Sequence, residues 1–297
     1  MEGMLWDMVP QVIDPTHDAI IVSRLKRLDT IIGKLRRPGL AMKLNEMNDI
    51  AGCRVIVPSL DTAYAVLDAL KAKVPLKPTH SIKDYIETPK PDGYRSIHLI
   101  TRHDAPQAGL TGLFCETQIR TQLQHAWSTA LETYDVVRGQ GMKFGGGTPI
   151  EKRFFVLTST LLAQSEGAPT IPGIRLSLDE TKEAIRLLER QSHILEMLQA
   201  CSGSVTISSD DHFADAEYFV LDIDYEMQRT RLYAYPTRMA DEAERLYAAK
   251  EQRKESHQDV LLVKAGSLQN LRVAYPNYSM DIRYFLDTID GLTGTGR

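Results

Sequence analysis

The chain has 297 residues, of which 43% are hydrophobic and 25% charged, and its formal net charge at pH 7 is −4. This length and ordinary composition indicate a globular protein with a sizeable core and room for two domains. The acidic balance argues against a protein that coats nucleic acid through bulk charge, and the apolar stretches are too short to span a bilayer.

The N-terminal third of the chain predicts helices and a buried strand. Apolar residues recur on one face of residues 18–37, which favours an amphipathic helix whose other face is basic. Residues 52–57 form a short apolar run that favours a strand. Ser59 is placed to cap a following helix from Leu60 to about Lys73.

The next segment predicts the rest of a sheet. Residues 96–102 and 113–120 alternate between apolar and polar side chains, as in a strand pair, and residues 123–134 are helical in pattern. The order of elements predicts an α+β (α/β-like) fold, in which helices flank a mixed β-sheet.

Glycine-rich residues 139–149 break the composition, and we expect the first domain to occupy residues 1–165. A helical connector is expected over residues 166–205, with one long helix from 178 to 201 that begins at a capping box. Strand and helix patterns then alternate over residues 206–297, which predicts a small α+β C-terminal domain.

The cysteines and the first ten residues bear on the cellular compartment of the protein. Cys53, Cys115 and Cys201 are far apart and lack the spacing of metal ligands. The first ten residues lack the basic start and apolar core of a signal peptide. We therefore expect a reduced, cytoplasmic location without membrane contact.

Two carboxylates precede or lie on predicted strands. Asp49 comes directly before the strand at 52–57, where it could simply cap a turn. Glu116 lies on a second predicted strand, so the two side chains could converge on one cation. Mg²⁺ is usually bound in this way, through one or two carboxylates together with substrate phosphates.

Basic and aromatic side chains accompany Glu116 between residues 83 and 121. Four of them supply donors that could hold phosphate oxygens: Lys83, Arg95, His98 and Arg120. Tyr94 follows a glycine and could stack on a nucleotide base, although a half-buried tyrosine would be the default without these neighbours.

Several motifs in this order resemble the RelA/SpoT synthetase domain over roughly residues 20–165. They are Arg24-x-Lys26, Asp49-Ile-Ala-Gly-x-Arg54, Lys83-Asp-Tyr, Gly93-Tyr-Arg-Ser-Ile-His98, Glu116-Thr-Gln-Ile-Arg-Thr121 and the helix with Gln124-His125-Ala126-Trp127. That family transfers pyrophosphate from ATP to a ribose hydroxyl, and the resemblance implies the same activity here.

The resemblance also implies roles for individual residues. It assigns Asp49 and Glu116 to Mg²⁺ and catalysis. It assigns the ATP contacts to Arg24, Lys26, Lys34 and Arg54. On the acceptor side it gives base stacking to Tyr94, and phosphate contacts or acceptor orientation to Lys83, Arg95, His98, Gln118 and Arg120.

The C-terminal residues are similar to fused toxin–antitoxin synthetases of the CapRel kind. In those proteins a Tyr-x-x-Tyr element blocks the ATP site until a phage protein engages the C-terminal domain. Tyr275 and Tyr278 match that spacing, although tyrosines anchoring a small domain would give the same pattern. The likeness implies an autoinhibited enzyme in phage defence.

The sequence is compatible with more than one acceptor for the pyrophosphate group. The 3′ end of tRNA would make the protein a toxin that blocks translation, and the C-terminal likeness favours this acceptor. GTP or GDP would make it an alarmone synthetase. A protein of another class, a catalytically silent nucleotide sensor, would bind ATP without releasing AMP.

Overall fold

The structure is a computed structural model. It describes residues 2–12, 19–26, 31–32, 35–36, 43–74, 76, 81–102, 112–138, 141–142, 146–201, 206–208, 216–224, 227, 229–255, 258–265, 271 and 282–294. The chain divides into two compact units. Unit 1 comprises Met1–Lys83, Ile97–Ile119 and Thr206–Ala274, and unit 2 comprises Asp84–Ser96, Arg120–Val205 and Tyr275–Arg297.

A mixed sheet organises unit 1. The strands are β1 (Ile20–Leu25), β2 (Ala51–Val57), β3 (Ile82–Asp84), β4 (Ile97–Arg102), β5 (Phe114–Thr121), β6 (Thr206–Ser208), β7 (Ala216–Asp224), β8 (Arg229–Pro236) and β9 (Gln258–Ala265). Within the described residues they form one sheet in the order β3-β4-β5-β2-β1-β9-β7-β8-β6. The β6–β8 pair is parallel, whereas β1–β2, β1–β9, β4–β5, β7–β8 and β7–β9 are antiparallel. The predicted α+β fold with a mixed sheet is confirmed.

Strand β1 corrects the first part of the helix that was predicted over residues 18–37: residues 20–25 are extended, whereas residues 31–32 and 35 are helical as predicted. Its residues pair with β2, with Val22 opposite Arg54, and also with β9, with Val22 opposite Ala265. The β-branched run from Ile20 to Val22 suits a strand that is paired on both sides. Over residues 20–25 the helical pattern was misleading, because pairing with a segment far along the chain overrides local periodicity.

The same pairing changes the expected division of the chain. The segments 1–165, 166–205 and 206–297 were expected to follow one another as separate bodies, but β9 and β7 extend the sheet that contains β1 and β2. The two compact units therefore interleave along the sequence.

Unit 1 contains the helices α1 (Glu2–Val12), α2 (Leu60–Lys73) and α7 (Ala240–Glu251). Helix α2 has the predicted boundaries because Ser59 caps it: the Ser59 hydroxyl accepts the backbone N–H of Thr62 at 3.2 Å. Helix α7 covers one side of β7 and β9, where Ala243 packs with Val220 and Leu262.

Unit 2 is largely helical. Its helices are α3 (Gln122–Arg138), α4 (Pro149–Glu166), α5 (Leu178–Ser192), α6 (Ile194–Cys201) and α8 (Arg283–Thr293). They enclose an aromatic core in which Trp127, Tyr134, Phe154 and Phe155 are buried. None of the helices in the described ranges has the length and apolarity needed to cross a membrane.

The long helix predicted over 178–201 is divided in two. His193 adopts a left-handed conformation, with φ 52°, and ends α5. The buried carboxylate of Glu189 then accepts the backbone N–H groups of Leu195, at 2.9 and 3.0 Å, and Glu196, at 3.2 Å. These are donors that the first turn of α6 leaves without helical partners.

Candidate functional site

A cluster of ionisable side chains lies on β4 and β5 in unit 1. Glu116 accepts a hydrogen bond from Gln118 Nε2 at 2.8 Å, and its other oxygen lies 3.3 Å from Nδ1 of His98. The side chains of His98 and Glu116 are 12% and 17% exposed, so both are partly shielded from solvent. Together with Lys26 and Asp49, these residues are called the carboxylate cluster.

Lys26 and Asp49 form the second half of this cluster, at the end of β1 and the start of β2. The Lys26 ammonium lies 2.6 Å from Oδ2 of Asp49. The backbone reinforces the pair, because the Lys26 N–H donates to the carbonyl of Ile50 at 2.8 Å. Arg24-x-Lys26 and Asp49 were read as separate motifs, and the structure brings Lys26 and Asp49 into direct contact.

Glu116 is held in its ionised form. Burial by itself raises the pKa of Glu116, and the negative charge of Asp49 acts in the same direction. The hydrogen bond and charge of His98, with the hydrogen bond from Gln118, outweigh both, so the pKa lies below its ordinary value. This carboxylate is therefore negatively charged at neutral pH and available to bind a cation.

The predicted basic residues of β1 and β2 lie on the same face of the sheet as Glu116. Cys53 and Val55 of β2 are buried, as are Thr117 and Ile119 of β5, so these side chains face the core. Because side chains alternate along a strand, Arg54 and Glu116 lie on the opposite face. Arg24 joins them, since it is paired with Gly52 rather than with Cys53.

Asp49 and Glu116 are the acidic groups of this cluster that could hold a divalent cation. Across the described parts of the chain, no group of three or more His, Cys, Asp and Glu side chains is arranged to enclose a metal on its own. A pair of carboxylates fits a cation that takes its remaining ligands from water or a substrate, as Mg²⁺ does.

Unit 2 carries a separate group of aromatic and basic side chains, called here the tyrosine cluster: Tyr85, Lys90, Tyr94 and Arg120. Arg120 Nη2 donates to the Tyr94 hydroxyl at 2.8 Å, and its guanidinium carbon lies 5.1 Å from the Tyr94 ring centroid. The Lys90 ammonium lies 4.6 Å from the Tyr85 ring and 4.8 Å from the Tyr94 ring. Such cation–aromatic contacts fix the ring of Tyr94.

Arg95 and Arg120 contact protein groups. Each is only 3% exposed. Arg95 donates from Nε to the Ser159 hydroxyl and from Nη1 to the carbonyl of Ile86, both at 3.3 Å. Burial lowers the pKa of Arg95 to about 10, and the charge of Glu166 offsets part of this effect. Both guanidinium groups are thus buried against protein groups, and their predicted contact with the acceptor stays a prediction.

Four further predicted residues belong to neither of the clusters defined above. Lys83 is exposed on the short edge strand β3. Lys34, Tyr275 and Tyr278 lie outside the described residues.

Sequence reasoning did not single out Lys90, Ser159 or Glu166. The sequence offered one local signal for these residues: Lys90 lies only four positions before Tyr94, in the Lys90-Pro-Asp-Gly turn, which could have indicated a contact between the two side chains. Ser159 lies in a stretch that was interpreted only as an apolar helix. Glu166 was assigned to the start of the helical connector, whereas the structure places it at the end of α4.

Residues 23–134 match the family model described as "Region found in RelA / SpoT proteins". Among curated proteins, the chain is 38% identical over 112 residues to GTP pyrophosphokinase YwaC of Bacillus subtilis, covering 36% of this chain and 53% of that protein. It is 28% identical over 131 residues to GTP pyrophosphokinase YjbM of the same organism, covering 43% of this chain and 59% of that protein. The chain thus spans little more than half the length of these relatives.

Among solved structures, the small alarmone synthetase 1 of Bacillus subtilis bound to its product pppGpp has a TM-score of 0.43. It is 23% identical to this chain, covering 67% of this chain and 90% of that chain. The family match contains every residue of the carboxylate cluster and of the tyrosine cluster.

Proposed function

We propose that this chain transfers pyrophosphate from ATP to a ribose 3′-hydroxyl. The observation that supports this most strongly is the carboxylate cluster, in which the ionised Glu116 is oriented by His98 and Gln118, and Asp49 by Lys26. All five side chains belong to the segment that matches the RelA/SpoT family model.

In the proposed reaction, the 3′-hydroxyl oxygen of the acceptor attacks the β-phosphorus of ATP. The bond from that phosphorus to the oxygen of AMP breaks, so the acceptor gains pyrophosphate and AMP leaves. Glu116 accepts the proton of the attacking hydroxyl. Arg24, Lys26, Lys34 and Arg54 hold ATP, so that catalysis consists mainly of positioning and charge neutralisation.

Asp49 and Glu116 would hold Mg²⁺ together with the phosphates of ATP. The bound ion supplies positive charge that neutralises the phosphate oxygens. Lys26 would then share Asp49 with the ion, because the ammonium already lies 2.6 Å from one of its carboxylate oxygens.

On the acceptor side, Tyr94 stacks on the base, and Lys83, Arg95, His98, Gln118 and Arg120 hold phosphates or orient the acceptor. We assign the direct contacts to Tyr94, His98 and Gln118 first, because Arg95 and Arg120 are almost completely buried. A guanosine nucleotide is favoured as the acceptor, since both curated relatives described above are named GTP pyrophosphokinases. The 3′ end of tRNA is the second candidate, supported by the Tyr275-x-x-Tyr278 spacing.

One labelling experiment tests the activity and the acceptor. The protein is incubated with Mg²⁺ and ATP labelled in its β- and γ-phosphates, and separately with GTP, GDP or deacylated tRNA. Label in GTP or GDP identifies an alarmone synthetase, and label in tRNA identifies a translation-blocking toxin. ATP binding without AMP release from any mixture would instead identify a silent sensor and overturn the proposal.

The CapRel likeness further supports autoinhibition by Tyr275 and Tyr278, released when a phage protein engages the C-terminal residues. Deleting the C-terminal residues is a poor test because it would remove β9 from the edge of β1. The double substitution Tyr275→Ala, Tyr278→Ala avoids this problem. Higher transfer by the double variant supports autoinhibition, and equal or lower transfer, with the fold intact by circular dichroism, contradicts it.

A further inference from the structure

The two residues on either side of Tyr94 are held by one hydroxyl group of helix α4. Ser159 Oγ donates to the carbonyl of Gly93 at 2.6 Å and accepts from Arg95 Nε at 3.3 Å. Ser159 is 2% exposed, so water does not compete for these bonds. A single side chain therefore fixes the backbone before Tyr94 and the side chain after it.

The segment around Tyr94 is also packed tightly against the helices. A Cβ atom on Gly93 would lie 2.9 Å from Cζ2 of Trp127 and 3.0 Å from Cβ of Ser159. The indole N–H of Trp127 donates to the carbonyl of Phe155 at 2.8 Å, which fixes the ring that Gly93 contacts. The backbone of the turn thus rests directly on α3 and α4.

Arg95 holds the same segment at a second point, although burying its guanidinium group is energetically unfavourable. Its Nη1 group donates to the carbonyl of Ile86, which ties the two ends of the Tyr85–Tyr94 segment together. Its Nη2 group is buried and has no hydrogen-bond partner among the described residues. Arg95, Glu166, Gly93 and Ser159 line a small shared cavity. A buried guanidinium with an unsatisfied nitrogen is expensive, and an apolar side chain would fill a purely structural position more cheaply.

We infer that Ser159 and Arg95 are positioning residues for the acceptor, acting through the turn that carries Tyr94. This inference rests on the proposed function, in which Tyr94 stacks on the acceptor base. The turn itself is defined by Gly93 N–H to the Lys90 carbonyl at 2.9 Å and by Tyr94 N–H to Asp92 Oδ1 at 3.0 Å. Neither Ser159 nor Arg95 needs to touch the acceptor for this role.

The experiment compares Ser159→Ala with Ser165→Ala in the intact chain. Ser165 lies on the same helix, is exposed, and donates to the carbonyl of Leu162 within that helix. Steady-state transfer gives KM for the acceptor, KM for ATP and kcat. Hydrogen exchange of the peptide covering residues 84–96 gives the order of the turn without any substrate.

For Ser159→Ala we expect the acceptor KM to rise about fivefold, which corresponds to the loss of one net hydrogen bond. KM for ATP and kcat should stay within twofold of the wild-type values, roughly the error of such comparisons. Exchange at Gly93 and Tyr94 should be several-fold faster, whereas Ser165→Ala should change neither measurement.

Two results would overturn the inference. One is an acceptor KM that is unchanged, or that rises only together with the KM for ATP and a lower melting temperature, as a general packing defect would cause. The other is unchanged exchange over residues 84–96. If wild-type protein labels no acceptor, the proposed function fails by itself, and the exchange measurement still decides whether Ser159 holds the turn.

Discussion

Nδ1 of His98 lies 3.3 Å from Oε2 of Glu116, across the antiparallel pair formed by β4 and β5. The contact is diagonal, because His98 lies directly opposite Gln118 and Glu116 lies opposite Ile100. Glu116 is thereby contacted by Gln118 from its own strand, β5, and by His98 from the neighbouring strand, β4. Such double support fixes the direction in which a carboxylate presents its oxygens.

Glu116→Gln and Asp49→Asn should each lower pyrophosphate transfer by about a hundredfold or more, since each removes a charge that the proposed reaction uses. The fold should survive, because both substitutions keep the shape of the side chain. Transfer of label from ATP, with circular dichroism as a check of folding, measures this. Asp68→Asn is the matched control, since its carboxylate is 74% exposed on α2. Wild-type turnover by either site variant would rule out the two-carboxylate mechanism.

The depressed pKa of Glu116 predicts how its contribution to stability depends on pH. Burial opposes ionisation, but the bonds from His98 and Gln118 make the folded-state pKa lower than the ordinary value of 4.5. The ionised form is thus favoured by folding, so the contribution is present above pH 4.5 and is lost as the pH falls through the folded-state value.

Urea unfolding of wild type and Glu116→Gln over a series of pH values measures this contribution. The wild type should be the more stable at pH 7, and the difference should shrink steadily below the ordinary pKa of a glutamate. A difference that stays constant across that range would show that His98 and Gln118 do not stabilise the carboxylate.

Gly93→Ala should destabilise the chain by about 3 kcal/mol, because it combines a left-handed backbone with an overpacked contact. The φ angle of Gly93 is +97°, and the added methyl would lie 2.9 Å from the Trp127 ring. Gly173→Ala is the control, since φ is +89° there and no atom lies within 4 Å. It should cost only about 1 kcal/mol, from backbone strain alone. Equal unfolding midpoints for the two variants would contradict the close packing at Gly93.

Glu189→Ala should destabilise unit 2 by about 2 kcal/mol, since it leaves the first backbone N–H groups of α6 without their acceptor. Glu189 is 7% exposed and uses both oxygens toward Leu195. Glu196→Ala removes a carboxylate whose side chain is 66% exposed and pairs with a histidine that is 61% exposed, so its effect should be near zero. Urea denaturation of both variants gives the comparison, and a neutral Glu189→Ala would refute the capping role.

Local signals predicted the elements whose boundaries are set locally. Ser59 starts α2 because its hydroxyl caps the helix, and this is visible in a few consecutive residues. The strand that carries Glu116 was likewise evident from alternation. Strand β1 was not predictable in this way, because its conformation depends on β9, whose residues are distant in sequence.

In the candidate site, too, the features set by local sequence were predictable and those set by long-range pairing were not. Asp49 and Glu116 were recognisable from motifs, but their immediate partners were not, since pairing of Lys26 with Asp49 depends on how β1 meets β2. Arg95 was interpreted as a phosphate donor because it is one of four basic side chains on or beside elements that also carry a carboxylate. Its side chain enters the helical core, where it donates to the hydroxyl of Ser159 on α4.

The pairing of β1 with β9 has a consequence for synthesis on the ribosome. Strand β1 emerges well before β9, because the two paired strands lie far apart in the sequence. Until then one edge of β1 has no strand beside it, and the strand that leads into Lys26 lacks half of its backbone partners. A chain released before β9 by interrupted translation would therefore carry the residues of the carboxylate cluster without a complete sheet beneath them, so the order of the candidate site depends on synthesis reaching β9.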